Sequence, residues 1–312
     1  MIRYLLLCLL LISVTACSSE PKSSPESIFS SPETPSESVE MPPSEPSEPE
    51  ASLQEEDRHV LLNPDGMTVE TRIQPPAGFV RVDVPPSSFA HYTRCLPLKP
   101  DQSPVLLYDG SEKGNQNAHI AVLSLDVGDR DLQQCADAVM RITAEYLFAN
   151  ERYDEIGFHL TNGFYFPYSQ WRSGKRLVVD GNTTTLVQKT EEDSSYETFR
   201  RYLDMVFAYA GTLSLAEEST PVTDIGLIKT GDFFIKGGSP GHAVMVLDTA
   251  VNEDTGEIAF LLAQSYMPAQ DIHILRNPLH TDDPWYYTYE LTFPLQTPQY
   301  IFDDGSLKTL GY

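Results

Sequence analysis

Apolar residues recur at helical spacing in two segments of the chain. The first follows Asp129 and Asp131, residue types that cap helix N-termini, and it places Cys135 in the first turn or so of an amphipathic helix. The second runs from Ser195 to Ala210, with Gly211 as its expected end. The predicted inward faces consist of Leu132, Cys135, Ala136, Val139, Met140 and Leu147, and of Tyr196, Phe199, Leu203, Val206 and Phe207.

Nearly continuous apolar runs predict strands that are covered on both faces. Three of them, DFFIKG, HAVMVLDTAV and IAFLLAQSYM, follow one another late in the chain, and residues 252–257 join the last two as a hairpin. The whole pattern predicts an α+β fold in which a helix carrying a cysteine packs on an antiparallel sheet. The other predicted elements are a short helix at 87–95, strands around 119–128 and 158–168, and a hairpin of 176–179 with 183–189.

The first residues carry a different pattern. Arg3 and an apolar run precede Val14-Thr15-Ala16-Cys17, small residues before a cysteine, and this resembles the cleavage box of bacterial lipoproteins. Residues 1–16 would then be a signal peptide, and the acylated Cys17 would attach the protein to a membrane. An ordinary signal peptide and an uncleaved anchor are the alternatives. The lipoprotein interpretation predicts a lipid-anchored, extracytoplasmic location in the cell envelope, at the outer membrane where the cell has one.

Residues 17–57 consist largely of Ser, Pro and Glu, with almost no large apolar side chains. Like charges repel and proline keeps the backbone extended, so this stretch cannot bury enough surface to fold. We interpret it as a disordered acidic tether to a single globular domain at 58–312. The chain has a formal net charge of −24, which argues against nucleic acids and anionic lipid surfaces as partners and favours neutral or cationic ones.

Two cysteines, Cys95 and Cys135, remain in the predicted domain. In an exported protein they could form a disulfide, or one of them could stay reduced for chemistry. Cys135 could also be an inert side chain on the buried face of its helix. The sequence leaves these alternatives open.

Segment 231–251 contains two candidate catalytic residues, a serine and a histidine. Ser239 lies in a Gly-x-Ser-x-Gly frame, but the next residue, Pro240, has no N–H for an oxyanion hole, and a strand follows where a helix is needed. We therefore reject a serine nucleophile. His242 begins that strand, where its imidazole could take a proton from a thiol. The alternative is a purely structural strand histidine.

The hairpin register supplies a third residue. Folding the chain about residues 254–255 places His242 opposite residues 264–266, so Gln264 or Ser265 would lie beside the imidazole. Cys135 lies near a helix N-terminus, whose dipole favours a thiolate. The predicted catalytic set is therefore Cys135 as nucleophile, His242 as base, and Gln264 or Ser265 to orient the ring.

The stretch GDFFIKGGSPGHAVMVLD resembles the Gly-Asp, strand, Gly-His, strand pattern of papain-like (NlpC-type) cell-wall cysteine peptidases and amidases. The resemblance implies a papain-like arrangement in which the helix cysteine attacks an amide or acyl carbonyl and the strand histidine shuttles the proton. In this chain those roles fall to Cys135 and His242. The residues around the cysteine, QQCADA, differ from the Asp-Cys-Ser-Gly that is usual in those enzymes.

Longer blocks resemble a family of bacterial lipoproteins that share domain of unknown function 4846. The resemblance extends from about Arg72 to the C-terminus, and it implies a location in the cell envelope without implying an activity. The blocks are LPLKPDQSPVLLYDGSEKGNQNAHIAVLSLDVGDRDLQQCADAVMR, FRRYLDMVFAYAGTLSL, GGSPGHAVMVLD and LLAQSYMPAQDIHIL.

We predict no metal and no cofactor. The chain has no His-Glu-x-x-His, Cys-x-x-Cys or phosphate-loop motif. No ligand spacing supports a zinc site of His119, His159 and His242, so we interpret the first two as structural. Aromatic residues such as Trp171 and Trp285 could stack on sugars if they were exposed.

The leading hypothesis is an envelope-anchored cysteine hydrolase, a peptidase or amidase acting on an amide bond, with cell-wall peptide as the substrate class. The alternative is a non-catalytic cell-envelope lipoprotein that binds a peptide, a glycan or a protein partner through the same groove. Both hypotheses place the ligand against Cys135 and His242.

Overall fold

The computed structural model describes residues 60–311. The proposed signal peptide, the acylation site Cys17 and the tether at 17–57 lie outside the described residues. None of the helices within 60–311 has the length and apolarity needed to cross a bilayer. These helices are α1 (Val69–Arg72), α2 (Phe89–Arg94), α3 (Cys135–Ala149), α4 (Tyr168–Arg172), α5 (Tyr196–Tyr209) and α6 (Thr212–Glu218).

The central helix α3 begins at Cys135, so the cysteine lies in the first turn as predicted. Its N-terminal residues are held by Asp137, whose Oδ2 accepts the Gln134 N–H at 2.9 Å. The prediction that Asp131 caps this helix is wrong. Asp131 instead accepts the Ala269 N–H at 2.7 Å, and it thereby ties the segment before α3 to a distant loop.

The second predicted helix is confirmed as α5. Ser195 is its N-cap and accepts the Thr198 N–H, and the helix ends at Tyr209, two residues before Gly211. Of the predicted inward side chains, Tyr196 is half exposed, while the others are buried. The Tyr196 OH nevertheless donates to the buried Glu145 at 2.7 Å, so part of this side chain faces the interior as predicted.

The strands include the three long runs predicted late in the chain. The hairpin predicted around Asp180-Gly181-Asn182 is also confirmed, with Asp180 paired to Thr183. The strands within the described residues are β1 (His119–Val122), β2 (Gly157–His159), β3 (Tyr165–Pro167), β4 (Lys175–Asp180), β5 (Thr183–Gln188), β6 (Thr220–Pro221), β7 (Phe233–Lys236), β8 (His242–Val251), β9 (Ile258–Gln264), β10 (His273–Leu275), β11 (Tyr286–Tyr287), β12 (Leu295–Gln296), β13 (Ile301–Phe302) and β14 (Leu307–Thr309).

One antiparallel sheet organises the described residues. Its strand order is β1-β10-β9-β8-β7-β14-β6, with β11 paired to β9. Strand β1 begins at the predicted residue but ends at Val122, well before the predicted end at residue 128. The chain turns away there, because the Ser124 N–H donates to the Pro97 carbonyl at 2.7 Å. The mixture of helices with antiparallel sheet confirms the α+β class.

Side chains of β8 alternate between two buried clusters, as expected for a strand covered on both faces. Ala243, Met245 and Leu247 pack in the cluster that contains the α3 and α5 side chains. Val244 and Val246 pack in a second cluster on the opposite face. The central strands are therefore buried on both sides, and the residues that can reach a cavity are those at the strand ends.

Candidate functional site

A cavity of about 570 Å³ opens at the N-terminal end of α3. The first turn of α3, the loop before β8, the junction of α5 with α6 and the residues after β9 all line it. Both Cys135 and His242 are in its wall, together with Tyr266 and Tyr300. The fold therefore brings the predicted nucleophile and the predicted base, which are far apart in the sequence, to one cavity.

The loop before β8 forms one wall of this cavity and needs a glycine. A Cβ at Gly241 would lie 2.3 Å from the Gly238 carbonyl oxygen and 2.4 Å from Thr212 Oγ1, so the chain passes too close to its neighbours for a side chain. Ser239 lies in this loop, which runs directly into strand β8. The structure thus agrees with the rejection of a serine elbow, which requires a helix at this point.

Cys135 is 7% exposed, and its thiol is held near the start of β8. Burial, with a smaller contribution from the Asp137 carboxylate, raises the pKa of the thiol to about 11, and the backbone N–H groups of Ala243 and Ala136 oppose this rise. The sequence predicted a thiolate, favoured by the helix dipole. Desolvation outweighs the dipole, so Cys135 is a neutral thiol at pH 7. Cys95 is exposed, and both cysteines are free, so no disulfide joins them.

His242 is 2% exposed and has a defined orientation. Its Nε2 lies 2.7 Å from Gln264 Oε1, and its ring packs against Tyr266 and Tyr300 with centroid distances of 4.7 and 4.9 Å. Burial lowers the pKa of the imidazole to about 4, so the ring is neutral at pH 7. Among residues 60–311 Gln264 is the hydrogen-bond partner of the ring, and the Cys135 thiol makes no direct hydrogen bond to it.

The structure separates the two candidates for the orienting residue. Gln264 lies beside His242, whereas the single O–H of Ser265 lies between two carbonyl acceptors, with Oγ 3.0 Å from the oxygen of Gln133 and 2.9 Å from that of Gln270. Adjacent residues of a strand point to opposite faces, so only one of the pair can share a face with the imidazole. The bond to Gln133 makes Ser265 a structural support for the segment that leads into α3.

Asp137 is a cavity residue that the sequence analysis did not identify. It is buried in the first turn of α3, and its Oδ1 has no hydrogen-bond partner among the described residues. Burial raises the pKa of this carboxyl to about 8, so it is mostly protonated at pH 7. The sequence shows that Asp137 lies two residues after Cys135, but it does not show that the Asp137 side chain is buried.

A second set of polar residues missed by the sequence analysis lies behind the His242 ring. Lys113 Nζ is 2.5 Å from Gln299 Oε1 and 3.2 Å from His273 Nε2. Gln264 joins this set through its Nε2, which donates to Gln299 Oε1 at 2.9 Å. The imidazole therefore belongs to a connected polar network, although its five members come from five separate segments.

The remaining candidates lie elsewhere. His119 approaches the Ser103 carbonyl at 3.2 Å and His159 approaches Glu218 at 2.8 Å, both in structural roles. Within 60–311 no group of three His, Cys, Asp or Glu side chains is placed to hold a metal ion. Trp171 and Trp285 are buried, so they belong to the core and provide no sugar-stacking surface.

The fold and the cavity define an α+β protein in which a buried cysteine and a buried histidine line one cavity, and a buried glutamine holds the histidine. The chain belongs to the family of domain of unknown function 4846, whose model matches residues 69–309. No curated protein and no solved structure matches the chain. The family membership carries no activity, so the function has to be argued from the site itself.

Proposed function

We propose that this protein is a cysteine hydrolase that cleaves an amide bond. The observation that supports the proposal most is the hydrogen bond from His242 Nε2 to Gln264 Oε1, in a cavity that Cys135 also lines. A cysteine at a helix N-terminus, a histidine at a strand end and an amide on the neighbouring strand resemble the papain-like arrangement. Nucleophile, base and orienting group are the three parts that covalent catalysis by a thiol requires.

The tautomer of His242 suits the role of base. Because Nε2 donates its proton to the Gln264 oxygen, the other ring nitrogen, Nδ1, carries a lone pair. That lone pair can accept the thiol proton as the Cys135 sulfur attacks the amide carbonyl, and His242 then returns the proton to the leaving amine. Water, activated by the same nitrogen, hydrolyses the resulting thioester and releases the acid.

The charge states determine when the proton moves. With the pKa of Cys135 raised to about 11 and that of His242 lowered to about 4, both groups are neutral at pH 7. Proton transfer therefore accompanies the attack on the carbonyl rather than preceding it. Catalytic hydrogen bonds that are long without substrate commonly tighten when substrate binds.

The cavity also restricts the substrate class. Asp131 is an acidic residue in its wall, Asp137 there is mostly protonated at pH 7, and no lysine or arginine is among the described residues that line it. Together with the net charge of −24, this favours neutral or cationic ligands over anionic ones. An amide bond of cell-wall peptide, reached by a lipid-anchored protein in the cell envelope, is the substrate and location that we propose.

Wall-peptide digestion tests the proposal. The full-length protein is incubated with purified peptidoglycan and with its soluble peptides, and products are identified by mass spectrometry. Cleavage by wild type and by Cys95→Ala, together with its loss in Cys135→Ala, is the expected result. Cleavage that persists in Cys135→Ala, or no cleavage of any wall peptide or simple peptide amide by wild type, would overturn the hydrolase.

A non-catalytic envelope module is the second candidate, and the burial of the site favours it. A thiol that is 7% exposed with a raised pKa, beside an imidazole that is 2% exposed, is the chemistry of an inert core pair. In this case the cavity binds a peptide, a glycan or a protein partner without cleaving it. Retention of an intact wall peptide with equal affinity by wild type and Cys135→Ala would support this function.

A further inference from the structure

A buried lysine lies behind the His242 ring without an acidic partner. Lys113 is 7% exposed, and it forms no ion pair with any described carboxylate. Its Nζ instead contacts Gln299 Oε1 and His273 Nε2, and it lies 6.0 Å from the centre of the Tyr266 ring. Burying a lysine without a counter-charge is unfavourable, so a lysine at this position calls for a role.

Lysine can only donate hydrogen bonds, and this orients the amide of Gln299. If that amide were reversed, its NH₂ group would face the Lys113 ammonium, donor against donor. Its oxygen must therefore face Lys113, at 2.5 Å. The same oxygen has a second lone pair, which accepts from Gln264 Nε2 at 2.9 Å.

His273 presents a second acceptor to the same point. Its Nδ1 lies 2.9 Å from the Asp271 backbone carbonyl, which can only accept, so Nδ1 carries the proton. Burial and the Lys113 charge hold the pKa of His273 well below its usual range, so the ring is neutral. Its Nε2 is therefore an unprotonated acceptor, 3.2 Å from Lys113 Nζ and 3.3 Å from Gln264 Nε2.

Two acceptors thus face one end of the Gln264 side chain. Reversal of the Gln264 amide would bring its oxygen against Gln299 Oε1 and against the lone pair of His273 Nε2. The NH₂ group must occupy that end, which leaves Oε1 to face His242. An acceptor at 2.7 Å requires the proton on Nε2 of His242 and leaves Nδ1 unprotonated.

We propose that Lys113 is a positioning residue that, through Gln299 and Gln264 and alongside His273, sets the tautomer of His242 and keeps its Nδ1 free to accept a proton. The catalytic consequence rests on the proposed function, whereas the tautomer is a property of the folded protein in either case. Lys113 touches neither the ring nor the Cys135 thiol through a hydrogen bond, so it acts through the amides between them.

Nitrogen NMR tests the proposal directly. The full-length protein is labelled with ¹⁵N-histidine, the His242 signals are assigned by their loss in His242→Asn, and both ring nitrogens are observed at pH 7. Wild type should show a protonated Nε2 and an unprotonated Nδ1. In Lys113→Met the Gln299 amide can reverse, so Gln264 loses one of the two acceptors that orient it and keeps only His273 Nε2. The ratio of the two tautomers should therefore change by about tenfold, the effect of one ordinary hydrogen bond.

Matched variants separate this effect from a general disturbance. Lys236 is exposed and is paired across from His242 on β7 but lies outside the network, so Lys236→Met should leave the tautomer unchanged. Gln299→Leu should remove the same acceptor from the Gln264 amide, and it provides the test if Lys113→Met does not fold. Gln299→Glu, whose carboxylate only accepts, should keep the wild-type tautomer.

Two results would overturn the proposal. One is a wild-type ring protonated on Nδ1, and the other is a folded Lys113→Met or Gln299→Leu protein with the wild-type ratio of tautomers. The readout does not depend on catalysis. A tautomer that responds as expected in a protein that cleaves no amide would reject the hydrolase and keep this proposal, and the reverse outcome would do the opposite.

Discussion

Gln264 and His242 are joined by a 2.7 Å hydrogen bond from ring Nε2 to the amide oxygen, and both residues are buried. Replacing Gln264 by leucine removes the acceptor and leaves a buried N–H without a partner. The unfolding free energy should fall by about 1–3 kcal/mol, the cost of such a group. Urea denaturation at pH 7 measures the change.

The matched control for this substitution is Gln296→Leu. Gln296 is exposed on β12, so the same change of side chain should alter the unfolding free energy by no more than about 0.5 kcal/mol. Equal losses in the two variants would mean that the hydrogen bond to His242 contributes nothing, and the orientation of the ring would need another explanation.

The reactivity of the two cysteines should differ in rate and in pH dependence. Cys95 is exposed, whereas Cys135 is buried with a thiol pKa raised to about 11, and only the thiolate reacts with alkylating reagents. We expect iodoacetamide to label Cys95 first at pH 7.5, and labelling of Cys135 to accelerate continuously up to pH 10. Intact-mass measurements on Cys95→Ser and Cys135→Ser follow each thiol alone.

The opposite pattern would be equally informative. Rapid labelling of Cys135 at pH 5 to 6, lost in His242→Ala, would show that the thiolate and the imidazolium already exist as a pair before substrate binds. Such a result would contradict the neutral resting state that the burial of both residues implies.

Some of the fold was predictable because its determinants are local. The Ser195 cap, the glycine after α5 and the Asp-Gly-Asn turn of the β4–β5 hairpin each act within a few residues, and those elements occur where predicted. The beginning of α3 was harder to place. Asp131 has the chemistry of a cap, but a bond to Ala269, far away in the sequence, uses its carboxylate.

The candidate site, like the fold, was predictable only where local sequence determines it. The turn between β8 and β9 placed His242 near Gln264 and Ser265, but the choice between them depends on a register shift between Val246 and Asp248, which no local pattern reveals. Lys113 and Gln299 could not be found at all. They lie in loops 186 residues apart, and only the folded chain brings them to Gln264.

The buried carboxyl of Asp137 should make stability depend on pH. Its pKa is raised from 3.8 to about 8, so between these values the native state holds a proton that the unfolded state has lost. Stability from this group is therefore present below about pH 4 and declines as the pH rises to about 8. Asp137→Asn has no such titration, so its stability relative to wild type should increase with pH, by up to about 1.4 kcal/mol per unit.

Chemical denaturation of both proteins at pH 5, 6, 7 and 8 measures this difference. The control is Asp129→Asn, the same substitution at an exposed aspartate before α3. A constant difference for Asp137→Asn would instead show that the Asp137 carboxyl ionises normally, and that the first turn of α3 is more hydrated than its burial indicates.

The loop before β8 offers a comparison of two glycines three residues apart. A Cβ at Gly241 would lie 2.3 Å from the Gly238 carbonyl oxygen and 2.8 Å from that of Lys236, so Gly241→Ala must displace backbone next to His242. At Gly238 nothing lies within 4 Å, and the cost of alanine there is the strain of its φ of +97°.

We expect Gly241→Ala to lower the unfolding free energy by about 1–3 kcal/mol through overpacking and to weaken ligand binding in the cavity as well. Gly238→Ala should cost about 1 kcal/mol and leave the His242 ring undisturbed, as seen in its NMR signals. If Gly238→Ala moves those signals as much as Gly241→Ala does, backbone strain and not close approach determines the shape of this wall.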